Sequence, residues 1–219
     1  MKKYFDILKN CILFDGIERD NLENMLGCIN GRIEEYSKGE AVMQEGIAVK
    51  DIGIVLSGAV QIERTDYYGN RSIITTAEPG EIFAESFACA ETKELPFCIT
   101  AAVKSEIMLI DCKRVIHTCS RSCEFHSSMI YNLMKIIATK NILLNQRTEI
   151  TSKRTTRDKL MTYLLITAKK NDSDSFSIPY DRQTLADFLG VDRSGLSAEI
   201  SKLRNEGIIE SRKNRFRLL

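Results

Sequence analysis

Up to about Asp111 the chain alternates short apolar stretches with glycines, at Gly39, Gly46, Gly53, Gly58, Gly69 and Gly80. In "GAVQIER", Val60, Ile62 and Arg64 alternate with Gln61 and Glu63. Short alternating strands with regular turn signals predict a β-sandwich or barrel. "DYYGNRS" reads as a hairpin, with Gly69-Asn70 supplying the positive φ angles. Ahead of the strands, Leu22, Met25, Leu26 and Ile29 recur at helical spacing in "ERDNLENMLGCI". From Ser122, a plausible N-cap, to Ile150 the pattern changes, with neither Gly nor Pro. Met129, Leu133, Ile136, Lys140, Leu143, Arg147 and Ile150 then fall at spacings of four and three, a heptad seam interrupted by two cations. A parallel register through Met134, Ile137 and Leu144 is also apolar. Such a helix packs one flank on the β-domain and the other on a second copy of itself, or is buried within one chain.

The pattern after Ile150 predicts a helix over 152–170 with Leu160, Tyr163, Leu164 and Ala168 inward, then a polar turn and a short extended piece ending at Pro179. "LADFLGVDRSGLSAEISKL" reads as a helix, a break at Gly190 and a second helix. "GIIESRKNRFRLL" reads as two short strands about a Lys213-Asn214 turn. Helix, helix–turn–helix and basic hairpin make a winged helix-turn-helix. Asp181 caps the first helix of the pair, leaving amides near Arg182, Gln183 and Thr184 to face a phosphate. Leu185, Ala186 and Leu189 fix that helix to the core. Asp192 caps the second, whose apolar face is Leu196, Ile200 and Leu203. Its other face offers Arg193, Ser194, Ser197, Ala198 and Glu199, small enough to enter a major groove. Arg193 suits a guanine edge or a phosphate, Ser194 and Ser197 a base edge or phosphate, Ala198 a thymine methyl. Lys202 on this helix and Arg212, Lys213 and Arg215 on the wing add phosphate contacts. The alternative is a helix–turn–helix used for protein contacts.

Charge favours nucleic acid. The whole chain carries a net +1, but residues 151–219 hold 14 Lys/Arg against 9 Asp/Glu, and residues 1–150 hold 17 against 21. A basic C-terminal third on an acidic remainder points to one part that meets a polyanion and another with a different task. No run of about 18 apolar residues predicts a membrane span. The evenly charged N-terminus and the odd number of cysteines, seven, predict a reduced cytoplasmic compartment rather than a disulfide framework.

"LFDGIERDNLENML", "YSKGE", "VLSGAVQI", "PGEIFAES" and "DRQTLADFLGVDRSGLSAEISKLRNEGII" occur in the order found in the Crp/Fnr superfamily of bacterial transcription regulators. The chain resembles that family along nearly its whole length. The resemblance implies an α+β chain in three parts: an effector-sensing double-stranded β-roll of jelly-roll type, residues 1–121; a dimerisation helix, 122–150; and a winged helix-turn-helix, 151–219. It also implies a homodimer on a palindromic double-stranded operator, a small-molecule effector in the β-roll, contact with RNA polymerase, and no enzyme activity.

Departures from the family pattern carry information. Cyclic-AMP-binding relatives have a Gly-Glu pair and, ten residues after the Glu, an Arg-Ser whose arginine pairs with the cyclic phosphate. Here the pair is Ala84-Glu85, and Leu95-Pro96 stands at the second place. A phosphate there lacks its charge partner, and burying it unpaired is too costly. The effector is therefore expected to be something other than cyclic AMP, held by Phe83, Ala84, Glu85, Ser86, Leu95 and Pro96 with Lys140 and Asn141 of the long helix. Iron–sulfur relatives cluster cysteines near the N-terminus, where this chain has only Cys11 and Cys28, so no cofactor is expected. Ala198 stands where relatives commonly carry a guanine-reading arginine, so their half-site sequences do not transfer. His117, Cys119, Cys123 and His126 fall within ten residues. They are open to three readings: a metal site, a thiol pair, or packing residues. A constitutive or thiol-responsive regulator with a vestigial pocket is the alternative to an effector-controlled one. A cupin-type enzyme, which needs converging histidines, is disfavoured because residues 1–111 hold none.

Overall fold

The computed structural model describes residues 2–65, 67–68, 71–117 and 124–219, with backbone alone at 2, 19–20, 22–24 and 124–125. The Gly69-Asn70 turn, the Ser122 cap, Cys119 and Cys123 lie outside the described residues. Two compact units emerge, 1–139 and 140–219, so the division falls inside the long helix rather than at its ends.

The first unit begins with α1 (Phe5–Asn10) and α2 (Arg19–Cys28). Then come β1 (Arg32–Tyr36), β2 (Ala41–Met43), β3 (Asp51–Ser57), β4 (Val60–Thr65), β5 (Arg71–Ala77) and β6 (Ile82–Phe83). A short α3 (Glu85–Cys89) follows, then β7 (Cys98–Ala101), β8 (Ser105–Asp111) and α4 (Cys112–Ile116). Two four-stranded sheets form, in the orders β1-β8-β3-β6 and β2-β7-β4-β5, with every pairing antiparallel. β4 and β5 form an antiparallel pair, with Val60 opposite Ala77 and Thr65 opposite Arg71. β3 lies inside its sheet, which is why Ile52, Ile54, Val55 and Leu56 form a nearly continuous apolar run and are all buried.

Gly53 on β3 is required by its neighbour. A Cβ there would lie 2.1 Å from the tip of the Phe83 ring, so the absent side chain makes the slot the ring fills. Phe83 is thereby a core residue rather than a free pocket wall.

The N-terminus is tied to β8 through Glu106. Its carboxylate accepts from Lys3 Nζ at 2.8 Å, Tyr4 Oη at 2.6 Å and Ser57 Oγ at 2.8 Å. These donors, Lys3 foremost, bring the Glu106 pKa down to about 2. A carboxylate depressed in the folded chain contributes stability above its ordinary range, and that contribution is lost as pH falls toward the folded value. We therefore expect Glu106, followed by carboxyl NMR, to titrate near 2 and to move up in Lys3→Gln. An unchanged titration would remove Lys3 as the cause.

The long helix α5 (Glu124–Thr151) crosses the division between the units. In the first unit Met129, Leu133 and Ile136 pack into the β-roll core. That half of the predicted seam is thus an intrachain face. Asn132, polar on the same flank, is buried and donates to the Leu13 and Asp15 carbonyls at 3.2 and 2.9 Å. Residues 138–149 are all exposed, Lys140 and Leu143 among them, and Ile150 enters the core of the second unit. The exposed apolar residues include Tyr131, Met134, Ile142, Leu143 and Leu144. Among the described residues no helix is long and apolar enough to cross a membrane.

The second unit continues with α6 (Thr156–Asn171), β9 (Ser175–Ser177), α7 (Arg182–Leu189), α8 (Arg193–Asn205), β10 (Ile209–Arg212) and β11 (Arg215–Leu218). The extended piece before Pro179 is a true strand, β9, which pairs with β11 and turns the predicted two-stranded wing into a three-stranded sheet. Leu160, Tyr163, Leu164 and Ala168 are buried in the core of this unit, as their spacing predicts.

Candidate nucleic-acid interface and sensor cassette

α7 and α8 are placed by their caps and by the residue between them. Asp181 accepts from the Thr184 amide at 2.8 Å, and these contacts with Thr184 lower its pKa. The Thr184 amide is therefore not free to face a phosphate, contrary to the sequence expectation. Gly190 closes α7 with φ +60, a left-handed value that glycine adopts without strain. Asp192 then accepts from the Ser194 and Gly195 amides at 2.8 and 3.0 Å. Leu185, Ala186, Leu189, Leu196, Ile200 and Leu203 are all buried, so both helices are seated by one apolar core.

This packing leaves a defined outer face on α8. Arg193, Ser194, Ser197, Ala198, Ser201 and Lys202 are exposed. Ser201 was missed by sequence reasoning, although its position four residues after Ser197 was a usable signal. Hydroxyl protons on this face are already engaged. Ser194 donates to the Asp192 carboxylate, Ser197 to the Arg193 carbonyl at 2.9 Å and Ser201 to the Ser197 carbonyl at 3.0 Å. In this arrangement the three hydroxyls present lone pairs outward and act as acceptors. Glu199, expected on the same face, turns instead to α6, where it lies 3.6 Å from Arg157. Arg157 also grips Glu206 with two bonds, of 2.6 and 3.1 Å.

Arg182 departs from its expected role too. It is half-buried, with its guanidinium 5.1 Å from the Phe216 ring centroid, and burial lowers its pKa. Stacking of this kind fastens β11 to α7. Gln183 is exposed and donates to Asp187 at 2.9 Å. At the wing, Arg212 pairs in register with Arg215 across Lys213 and Asn214, so the predicted turn is observed. Arg212, Lys213 and Arg215 are exposed. Asn214 is tied to Ile178 by two hydrogen bonds, at 2.9 and 3.1 Å. Between this turn and the start of α7 lies a groove of about 480 Å³, lined by Pro179, Tyr180, Asp181, Arg182, Lys213 and Asn214.

In the first unit, α3 follows β6 through Ala84, which adopts φ +62. A left-handed alanine is strained where glycine is not, which gives a physical reason for the glycine in relatives. Glu85 is buried, and Ser86 Oγ lies 3.4 Å from its carboxylate. Leu95 is buried and its backbone is laced to Ile47 and Gly46 by bonds of 3.1 and 2.9 Å, whereas Pro96 is exposed. Lys140 and Asn141 belong to the other compact unit, where both are exposed and Asn141 accepts from Asn145 at 2.7 Å.

Comparison with known proteins matches these two regions separately. Residues 33–122 match the cyclic nucleotide-binding domain family and residues 158–219 the Crp-like helix-turn-helix domain family. The chain belongs to the Crp/Fnr superfamily. Crp/Fnr proteins are transcription regulators, not enzymes. The chain is similar to transcriptional activator protein FnrL of Cereibacter sphaeroides, at 21% identity over 80% of this chain and 71% of that one. Among solved structures it is similar to the catabolite activator protein of Thermus thermophilus, with TM-score 0.50, 19% identity, and 95% and 93% of the two chains covered. The sensor domain of the transcriptional regulator DNR from Pseudomonas aeruginosa matches with TM-score 0.53 and 18% identity, over 70% of this chain and 97% of that one.

Within this Crp/Fnr chain the histidine–cysteine constellation is resolved only in part. His117 and His126 line one cavity of about 400 Å³ with Cys28, Lys113 and Arg114. His117 Nδ1 lies 2.8 Å from the Lys113 carbonyl, and the buried His126 has no partner at Nδ1. Among the described residues no three metal-ligating side chains are close enough to share an ion. A different pair of thiols is in contact. Cys89 at the end of α3 and Cys112 at the start of α4 have their sulfurs 3.3 Å apart.

Proposed function

We propose that the protein is a homodimeric, effector-controlled transcription regulator that binds a palindromic operator. The observation that carries this reading is the outer face of α8: capped, exposed and built from small residues, between Arg193 at one end and Lys202 at the other. A helix of that shape fits deep in a major groove, and the wing cations lie on the same unit to meet the flanking backbone. Dimerisation is supported by the exposed apolar positions of α5, Met134 and Leu144 above all, which are 65% and 62% exposed in the single chain. Two copies joined there carry two reading helices, which is what a palindrome requires. RNA polymerase is the partner expected of such a regulator on its promoter.

The effector in this reading is not cyclic AMP. Leu95, at the place of the phosphate-binding arginine, is a buried core residue and offers no charge. A small molecule that is less anionic there shifts the dimer between two arrangements of its reading helices.

Selection of bound DNA from a random pool, with and without small-molecule cell extract at stated salt, tests the reading. A palindrome recovered only with extract supports effector control; recovery of no sequence under any condition would sink it. On the selected operator, Arg193→Ala is expected to weaken binding by roughly ten- to a hundredfold and to relax one base position. Lys213→Ala is expected to weaken all sequences alike and to lower the salt slope by about one. Equal behaviour of the two variants in a fluorescence-anisotropy salt series would reject this division of labour.

A further inference from the structure

We propose that Cys89 and Cys112 are a peroxide-responsive dithiol, whose oxidation to an intramolecular disulfide fastens α3 to α4 and fixes the sensor cassette. The control it describes rests on the regulator reading above; the chemistry does not.

The two sulfurs are 3.3 Å apart in the reduced chain, so a bond requires about 1.3 Å of approach. The residues join two short helices that pack on each other. Cys112 is held in place, since its amide donates to the Lys50 carbonyl at 3.0 Å and its side chain is buried. Cys89 is partly exposed on the last turn of the helix that carries Glu85 and Ser86. The pair therefore divides into an accessible sulfur and a buried one that waits behind it. A cavity of about 160 Å³ is lined by the residues that adjoin each cysteine in the chain, Ala88 and Lys113, together with Lys50, Glu91 and others. Lys113 there is ion-paired with Glu91 at 3.3 Å. The shared S–H···S contact from Cys112 lowers the Cys89 pKa against the nearby Glu85 charge, which raises it, while the same contact, followed by burial, raises that of Cys112. Among the described residues the other cysteines lack this arrangement. Burial pushes Cys11 up to about 11, and Cys98 is raised by burial and donates to the Met43 carbonyl.

The chemistry balances with hydrogen peroxide as the oxidant. The Cys89 thiolate attacks one peroxide oxygen and the O–O bond breaks. The departing oxygen leaves as water, carrying the proton that Cys89 gave up, and Cys89 becomes a sulfenic acid. The Cys112 sulfur then attacks the Cys89 sulfur, the S–O bond breaks, and hydroxide leaves with the Cys112 proton as a second water. The two sulfurs together lose two electrons, and one peroxide becomes two waters. Two equivalents of a small thiol reverse the step.

Once formed, the bridge ties the C-terminal end of α3 to the first residue of α4. Ala84, Glu85 and Ser86 then lose the freedom to adjust around a ligand. The cassette becomes insensitive to its effector while the β-roll stays folded.

The test uses the full reduced chain, treated with a small excess of hydrogen peroxide, alkylated, digested without reductant and analysed by mass spectrometry. The expected product is a Cys89–Cys112 linked peptide that small thiols cleave. Hydrogen exchange of the α3 amides should slow at least threefold in the bridged protein. Both thiols remaining alkylatable, a bridge to any other cysteine, or unchanged α3 exchange would each overturn the proposal. Cys89→Ser is expected to block the bridge and to leave operator binding by the reduced protein unchanged. Cys112 is buried, so Cys112→Ala serves as the second variant, its fold checked by melting under reducing conditions. The bridge and the hydrogen-exchange readouts need no DNA. Failure to bind any operator in the reduced state overturns the regulator reading, whereas a missing bridge overturns only this one.

Discussion

Leu196→Ala is expected to abolish operator binding without touching any residue of the α8 outer face. Leu196 is fully buried between the two helices of the reader and the rest of its core. Truncating a buried leucine costs about 2–5 kcal/mol, depending on how far the surroundings close over the cavity. Whole domains are stable by only about 5–15 kcal/mol, so the loss is a large part of what holds residues 140–219 together. Calorimetry of the full chain should show one transition moved down by many degrees. A second transition, belonging to residues 1–139, should stay in place. An unchanged thermogram with binding lost would mean that Leu196 acts through the DNA contact itself.

Gly53→Ala is the counterpart in the other unit. The new methyl would lie 2.1 Å from a ring carbon of Phe83, which is itself buried and unable to step aside. Overpacking of a closed core costs about 1–3 kcal/mol and occasionally more. Here the transition of the β-roll unit should fall while that of the reader stays. A double change, Gly53→Ala with Phe83→Leu, makes room for the methyl and should recover part of the loss. A single transition shifted by either substitution would show that the two units unfold as one.

The reader was the most legible part of the chain because its fold is written in local rules. Asp181 and Asp192 cap the helices they were expected to cap, and the periodic residues from Leu160 to Leu203 are buried as their spacing predicts. Helical period tells which face of one element turns inward. It does not tell what a long polar side chain will find once the elements meet. Arg182 therefore went unrecognised as the partner of Phe216, and Glu199 as that of Arg157, because each contact is set by another element. The same limit hid the slot at Gly53 and the meeting of Cys89 with Cys112, which are 23 residues apart in sequence. In the long helix both registers were apolar, and period alone could not assign Met129, Leu133 and Ile136 to the chain's own core. The candidate sensing residues were legible only as a departure: Leu95 and Pro96 stand where cyclic-AMP-binding relatives carry Arg-Ser.

The middle of α5 has a consequence for how the protein responds to its own abundance. Residues 138–149 make three turns of helix with every residue exposed, and Arg147 places its guanidinium 5.8 Å from the Phe188 ring centroid. An isolated helix of about that length is marginal in water. In the homodimer proposed above a second molecule would cover this stretch, so its order would be firmer in a concentrated sample than in a dilute one. In that reading thermal stability would rise with protein concentration, as it does whenever folding and assembly are one equilibrium. Copy number in the cell would then act as an input in its own right, beside the effector proposed for the β-roll.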